Sequence, residues 1–363
     1  PENFFSQKQL IAIGLGFIAF AIAASVKLKI WQQLETFMLG VALVAGIAVR
    51  FFGEQINGAY RWFNFGGISF QVAELIKLAL ILWLAGFLAR RMAQKRMHDP
   101  DTFKKLGIAV VAVIIIVAGL QSDLGSAAVM MAIIGTMAFV AGLPMRNLLL
   151  VIAGVAVLTV GAIATSEYRR DRVSTFLNPA ADCQNEGYQA CQALITVGSG
   201  GLTGKGLGRS VQAYGYLPEA ANDSIFAIVS EKFGFIGSSL IIGVFFILFR
   251  RLYEVARTAS SNYAQLLVSG VLIWLSIQMM INVGAMLGLL PLKGITLPLV
   301  SYGGTSIIFI LVALGIAFHV SRYTVLGRVV AKQYENNEGA DTRSTSRRPT
   351  RLQGAPRRRM RSV

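Results

Sequence analysis

The sequence predicts an all-α polytopic membrane protein, and three observations carry that reading. Charge is scarce: 14% of the residues are Asp, Glu, Lys or Arg, against roughly 25% in a soluble domain. Apolar residues fall in long runs and not in a 3.6-residue stripe, as at Ile108 to Leu120, Ala127 to Leu143 and Ile236 to Phe249. The segments between the runs alternate in charge. Runs approaching ~20 residues are what a helix needs to cross a hydrocarbon core of ~30 Å. Backbone groups in lipid must be satisfied internally, and the strand alternation of a membrane barrel is missing, so the spans are read as helices.

Nine spans are expected, at roughly 8–26, 34–51, 70–89, 106–120, 124–143, 147–165, 224–249, 264–288 and 304–326. One set of connections holds Lys27 and Lys29, then Arg90, Arg91, Lys95, Arg96, Lys104 and Lys105, then Arg146, then Arg250, Arg251 and Arg257. The positive-inside rule assigns these to the cytoplasm, together with the C-terminal tail. The other set, 54–69, 121–123, 167–223 and 289–303, then lies outside. The membrane domain is read as 1–327, with a large extracytoplasmic loop, 167–223, between the sixth and seventh spans. A basic cytoplasmic tail, 328–363, is rich in Arg, Ser, Thr, Pro and Gly and is expected to be disordered. Its bland reading is an anchor on anionic lipid; the sharper one is a docking site for a cytoplasmic partner.

This sidedness puts Pro1 outside, which is awkward for a chain with no preceding span. The simplest expectation is that one more transmembrane helix precedes this sequence; a cleaved signal is the rival. The net charge of +16 does not point to nucleic acid, because it sits in the tail and in short loops. Two cysteines exclude a disulfide framework and a four-ligand zinc site. Cys183 and Cys191 either close a small disulfide ring, or Cys191 opens an amphipathic helix over Tyr188 to Val197. His98 and His319 are too dispersed to suggest a metal cluster.

Some residues are not explained by the membrane. Glu74 and Lys77 share a helix face near the outer end of the third span, as an internal ion pair or as part of a site, since ionisable groups in a span face the bundle interior or water. Asp123 stands at a short turn, where it either caps the next helix or pairs with Lys77. Arg169, Arg170 and Arg172 break the positive-inside pattern. They suit an anion such as phosphate or a local network with Glu167 and Asp171. Gly198 to Gly208 resembles a phosphate loop but fails the Walker A spacing, since Lys205 is followed by Gly206. It is either a mobile linker or a pliant backbone carrying one ammonium to a ligand. Glu219 and Asp223 precede the seventh span, where Asp223 is placed either to cap the helix or, half out of water, to act as a general base. The apolar, Pro- and Gly-broken stretch Gly288 to Ser306 reads as a re-entrant element packed in protein, and Lys293 within it needs an anionic partner.

These segments resemble the SEDS family (shape, elongation, division and sporulation proteins). The matching residues are Gly58-Ala-Tyr-Arg-Trp62, Gln71-Val-Ala-Glu-Leu-Ile-Lys77, Gln121-Ser-Asp-Leu-Gly125, Gly204-Lys-Gly-Leu-Gly208 and Leu217-Pro-Glu219. To these add Asp223 with Ile225-Phe226, Glu231 with Gly234-Phe-Ile-Gly237, and Leu290-Pro-Leu-Lys-Gly-Ile-Thr-Leu-Pro-Leu-Val-Ser-Tyr-Gly-Gly304. They run in order through almost the whole chain. The Lys-Gly-Ile-Thr-Leu-Pro form is closer to the FtsW, or division, branch than to the RodA, or elongation, branch.

The resemblance implies a ten-span fold, of which this chain looks like the second to tenth spans. It implies a peptidoglycan glycosyltransferase that joins lipid II into glycan strands on the outer face and releases undecaprenyl diphosphate. It maps an essential aspartate onto Asp223, to activate the acceptor's 4-hydroxyl or to hold a divalent cation, magnesium or manganese, at the diphosphate. Where many members have His-Thr-Asp-Phe, this chain has Ala221-Asn-Asp-Ser224. Arg61, Lys77, Arg169, Arg170, Arg172, Lys205 and Lys293 are the expected cations at the substrate, with Glu219, Ser301 and Tyr302 beside them. Glu74, Asp123 and Glu231 are the expected structural partners. No nucleotide is required. The expected companions are a class B penicillin-binding transpeptidase and other division proteins, at the septum of the bacterial inner membrane. A lipid II flippase and a non-catalytic division scaffold are the rival readings.

Overall fold

A computed structural model describes residues 2–56, 59–65, 68–144, 183–185, 187–292 and 294–323, with isolated positions between 146 and 176. Its helices are α1 (Glu2–Ser25), α2 (Leu28–Phe52), α3 (Val72–Ala93), α4 (Pro100–Val113), α5 (Leu124–Val140), α6 (Tyr188–Ser199), α7 (Ile225–Arg257), α8 (Asn262–Met286) and α9 (Gly304–Tyr323). Among the described residues, seven helices are long and apolar enough to cross a membrane, and α5 is a shorter apolar helix. The expected span at 147–165 and the arginines at 169, 170 and 172 lie outside the described residues, as do Lys293 and the tail from 324 onward. The chain divides after Ser321 into a large body and a C-terminal piece, and of the latter only Arg322 and Tyr323 are described.

The helices differ in what surrounds them. On α3, Ile76, Leu78, Ile81, Leu82, Leu84 and Leu88 are all essentially buried, and on α8 so are Leu266, Val271, Trp274 and Leu275. These two helices form the centre, packing on each other and on α2, α5 and α7. The outer helices turn large apolar side chains away from the protein: Phe17 and Ile18 on α1, Val44 and Phe51 on α2, Ile108 and Val111 on α4, Leu240, Val244 and Phe246 on α7. So much exposed apolar surface on long helices is a lipid-facing surface, since in water it would drive association. The protein is therefore a multi-pass membrane protein.

The expectation of an all-α chain is corrected by a small antiparallel sheet. Strands β1 (Glu54–Ile56), β2 (Ala59–Phe65) and β3 (Ile68–Gln71) pair in that order, with Trp62 opposite Gln71 and Phe63 opposite Phe70. The aromatic-rich run Tyr60-Arg-Trp-Phe-Asn-Phe65 suits a pleated surface. Asn57-Gly58 and Gly66-Gly67 separate the strands in the sequence, and such dipeptides favour tight hairpins. The sheet presents Arg61 over the end of the bundle, and Thr305 Oγ1 donates to Ser69 O to tie β3 to the start of α9.

Two further departures from regular helix shape that end of the molecule. The helix α4 widens into π geometry over Ile114–Leu120. Gln121 follows, buried, with its Nε2 donating to Gly46 O of α2 at 3.1 Å. In α7, Gly234 has φ 65 and ψ −163, breaking the helix inside its span. The freed groups are met by the glycine-rich segment. Lys205 N donates to Glu231 O at 2.9 Å and Gly206 N to Lys232 O at 3.0 Å. In return Phe235 N donates to Gly201 O at 2.9 Å and Ile236 N to Leu202 O at 3.2 Å. Buried backbone groups in a span must be paired this way or lose several kcal/mol. The segment Gly198 to Gly208 is thus neither a linker nor a phosphate loop; it ends α6 and then, over residues 201–206, pairs with the backbone of a broken helix.

That splice requires glycine on both sides. A Cβ on Gly204 would fall 2.3 Å from Lys232 O, and one on Gly234 would fall 2.4 Å from Gly204 N. Gly204→Ala and Gly234→Ala should each lower stability by about 3 kcal/mol or more, the sum of a positive-φ penalty and a forced backbone shift. Gly206→Ala, at φ 88 with open space around it, should cost only the φ penalty of about 1–2 kcal/mol. Thermal unfolding of the three variants in detergent checks the order.

Candidate functional site

Several buried polar groups of the apolar spans, Glu74, Lys77, Gln278 and Asn282, converge toward the end of the bundle where α3 begins and α8 ends. Lys77 is 2% exposed; its Nζ donates to Glu74 Oε1 at 2.7 Å and to Gln278 Oε1 at 2.8 Å. Lys77 is therefore enclosed as an internal tie between α3 and α8, the ion-pair role, and it does not reach Asp123. Trp274 Nε1 also donates to Gln278 Oε1, at 2.8 Å. The Gln278 amide then donates to Thr296 O at 3.1 Å, fixing the apolar loop after α8. One turn later on the same face, Asn282 Nδ2 donates to Ile295 O and to Asp223 O, each at 2.7 Å.

Asp223 stands just before α7. It does not cap that helix: Ser224 occupies the cap position. Three consecutive carbonyls are instead held from the 282–302 stretch. Tyr302 N donates to Ala221 O at 2.8 Å, Ser301 Oγ donates to Asn222 O at 2.6 Å, and Asn282 holds Asp223 O. Ser301 Oγ in turn accepts from Leu297 N at 2.7 Å. Ser301 thus acts on the backbone that carries the aspartate. The turn before it is closed by Glu219, whose O accepts from Asn222 N and Ser224 N, and whose carboxylate accepts from Asn222 Nδ2.

The carboxylate of Asp223 is half-buried, and its Oδ1 is fully enclosed with no hydrogen-bond partner among the described residues. Burial, reinforced by the nearby negative charge of Glu219, pushes its pKa up to about 7 despite the opposing backbone hydrogen bonds at Asp223 and Ser224 and the field of Arg61. Arg61 comes from β2: its Nη2 donates to Ser122 O at 2.9 Å and its Nε lies 3.6 Å from Asp123 Oδ2. Asp123 both caps α5, accepting from Ser126 N at 3.0 Å, and orients Arg61. A Cβ on Gly294 would meet Arg61 Nη1 at 3.5 Å and Asp223 Oδ2 at 3.6 Å. The guanidinium and the carboxylate therefore flank one small space, which glycine keeps open.

The remaining expected residues fall elsewhere. Lys205 Nζ pairs with the buried Glu231 at 2.9 Å, and Glu231 also accepts from Ser210 Oγ and Val211 N. This group secures the α7 splice. Cys183 and Cys191 are joined in a disulfide that ties the start of α6 to the preceding turn, so the ring and the helix of the two sequence readings coexist. Sequence reasoning missed Gln278 and Asn282. The signal was present, as two amides at i, i+4 in an otherwise apolar run, but attention went to ionisable groups alone.

Residues 1–326 match the sequence profile of the FtsW, RodA and SpoVE proteins, described as cell cycle proteins. The chain belongs to that family. It is 39% identical over 324 residues to the probable peptidoglycan glycosyltransferase FtsW of Saccharophagus degradans, covering 88% of this chain and 83% of that one. It is 38% identical to the stage V sporulation protein E of Bacillus subtilis, covering 88% of each. Among solved structures it is similar, with a TM-score of 0.76 and 29% identity, to a chain from a study of how a peptidoglycan synthase complex coordinates polymerization and crosslinking. That match covers 89% of this chain and 91% of that one. The rod shape determining protein RodA of Thermus thermophilus is similar at a TM-score of 0.66 and 28% identity, over 89% of each chain. In this member of the family, among the described residues, the polar site brings together the Asp223 carboxylate, the Arg61 guanidinium with its partner Asp123, the nearby Glu219, and the backbone clamps.

Two expected outcomes follow from the geometry. Lys77→Met alone strands Glu74 in the core and should cost about 3–5 kcal/mol, whereas Lys77→Met with Glu74→Gln should recover much of the loss; thermal unfolding of the two variants measures it. Asp223 binds its proton more tightly folded than unfolded, so its ionisation weakens the fold as pH rises from about 4, and the loss levels off above about 7. The melting-temperature gain of Asp223→Asn over the parent should grow across that window and then stay constant.

Proposed function

We propose that this chain is a peptidoglycan glycosyltransferase that polymerises lipid II into glycan strands during septal wall synthesis. The observation that carries the reading is Asp223: its backbone is held by three clamps, its Oδ1 has no hydrogen-bond partner among the described residues, and its Oδ2 faces Arg61 across Gly294. In the proposed reaction the Asp223 carboxylate accepts the proton of the acceptor's 4-hydroxyl as that oxygen bonds to the donor's anomeric carbon. The donor's bond to diphosphate breaks, and undecaprenyl diphosphate leaves. A carboxylate with a pKa of about 7 is matched to such proton transfer at neutral pH. Arg61 is suited to the leaving diphosphate, since fixed cations at developing negative charge are the strongest catalytic element for such a displacement. Arg169, Arg170, Arg172 and Lys293 are proposed as further cations at the outer rim. An apolar groove lined by Phe37, Val41, Val44 and Phe63 suits a polyprenyl tail.

A divalent cation, magnesium or manganese, fits this donor set only in part. Among the described residues no three acidic, histidine or cysteine side chains converge, so Asp223 would supply one oxygen and the diphosphate the rest, the arrangement usual for magnesium with phosphates. Such an ion would neutralise charge on the leaving group. No nucleotide is invoked.

The proposed topology has nine spans, with 167–223 outside the cell and the C-terminal tail in the cytoplasm. The proposed partners are a class B penicillin-binding transpeptidase, which would crosslink the new strand, and other division proteins. The relatives' names and the synthase complex among the similar structures support this reading.

The test is reconstitution of the protein with its transpeptidase partner, lipid II and a divalent cation, with glycan polymer read on gels. Asp223→Asn should reduce polymerisation at least 100-fold, within the range of a lost general base, and the parent rate should rise with pH through about 7. Lipid II crossing liposome bilayers without polymer would make the chain a flippase. Neither polymer nor crossing would make it a scaffold.

A further inference from the structure

Asn282 does more than brace a loop. Its amide nitrogen has two hydrogens, and both are taken by main-chain carbonyls, Asp223 O and Ile295 O, each at 2.7 Å. This fixes the orientation of the amide, because the flipped form would set its oxygen against two carbonyl oxygens. Asn282 is 2% exposed, and its Oδ1 is buried with no hydrogen-bond partner among the described residues. The side chain lines a cavity of about 10 Å³ together with Asp223, Gly294 and Ile295, a size that holds a single water. Asp223 Oδ1 is the other unpartnered acceptor of that lining. The residue that sets the place of the Asp223 backbone therefore also borders the space its carboxylate faces.

We propose that Asn282 is a positioning residue for the glycosyl transfer, acting through Asp223 by locking its main chain on the last turn of α8. The proposal rests on the reading of Asp223 as the proton acceptor. Tyr302 and Ser301 hold the two preceding carbonyls, and among the described residues only Asn282 grips both the aspartate itself and the loop bearing Gly294. Its loss frees the carboxylate by a fraction of an ångström to an ångström, and a misplacement of that size costs about 100-fold in rate. Both amide hydrogens of Asn282 are spent on main-chain carbonyls, so the expected loss falls on kcat and not on KM.

The test has two arms. In reconstituted polymerisation, Asn282→Ala and the isosteric Asn282→Asp, which lacks the two donor hydrogens, should lower kcat about 100-fold with KM changed less than threefold. In an Asp223→Asn background, Asn282→Ala should cause no further loss, since a residue that works through another has nothing left to act on. Equal additional loss in that background, or a loss expressed in KM, would overturn the proposal. The second arm needs no turnover. Hydrogen exchange of the intact protein should quicken at least tenfold at the amides of residues 219–224 in both variants, with α3 unchanged. Unchanged exchange there would also overturn it. Absence of polymer in the parent protein would instead fault the glycosyltransferase reading and leave the exchange arm to decide the positioning role.

Discussion

The capture of three successive carbonyls, those of Ala221, Asn222 and Asp223, by groups on a stretch some 60–80 residues downstream is the constraint on which the site depends. A carboxylate at the mouth of a membrane bundle is drawn outward by water and tends to carry its flexible loop with it. Holding the backbone and not the side chain solves that conflict. One acidic oxygen, Oδ1, stays unspent among the described residues while the chain that bears it is held. The neighbouring residues need not then be any particular type, because the bonds are made by their main chain. The clamps on Ala221, Asn222 and Asp223 do not pass through those residues' side chains.

The clamps are themselves oriented from the core. Glu74 and Lys77 lie among apolar residues of α3, where a lone charge would be prohibitive and a pair is stable only with further hydrogen bonds. Gln278 supplies one of those bonds and transmits the orientation to the loop at Thr296. The ion pair thus contributes register more than net stability. An apolar replacement would pack as well but would leave α8 free to rotate its amides away from the loop.

Much of this was legible in the sequence. The apolar runs gave the described spans to within a few residues, except where helices continue past the hydrocarbon core, as α7 does to Arg257. Glu74 and Lys77 were readable as a pair from their i, i+3 spacing, and Asp223 from its place beside a span. The sheet was overlooked because an apolar scan passes over Tyr60 to Phe65, although the flanking Asn-Gly and Gly-Gly pairs announce hairpins. The role of Lys205 was not legible, because its partner Glu231 lies 26 residues on and meets it only when α7 breaks. Which of two readings a glycine-rich run takes, tether or close-packed strand, depends on what backbone it meets, and local sequence carries no record of that.

The broken helix α7 has a further consequence, in the order of biogenesis. The groups freed at Gly234 are met by residues 201–206, a segment translated earlier and so already available when that helix enters the bilayer. No unpaired backbone has to wait in lipid for later chain. The aspartate has the opposite history. Its locks at Asn282, Ser301 and Tyr302 are made only after α8 and the loop that follows it have emerged. The splice of α7 therefore closes before the aspartate is set, and a nascent chain stopped within α8 short of Asn282 would carry Asp223 with none of its three locks.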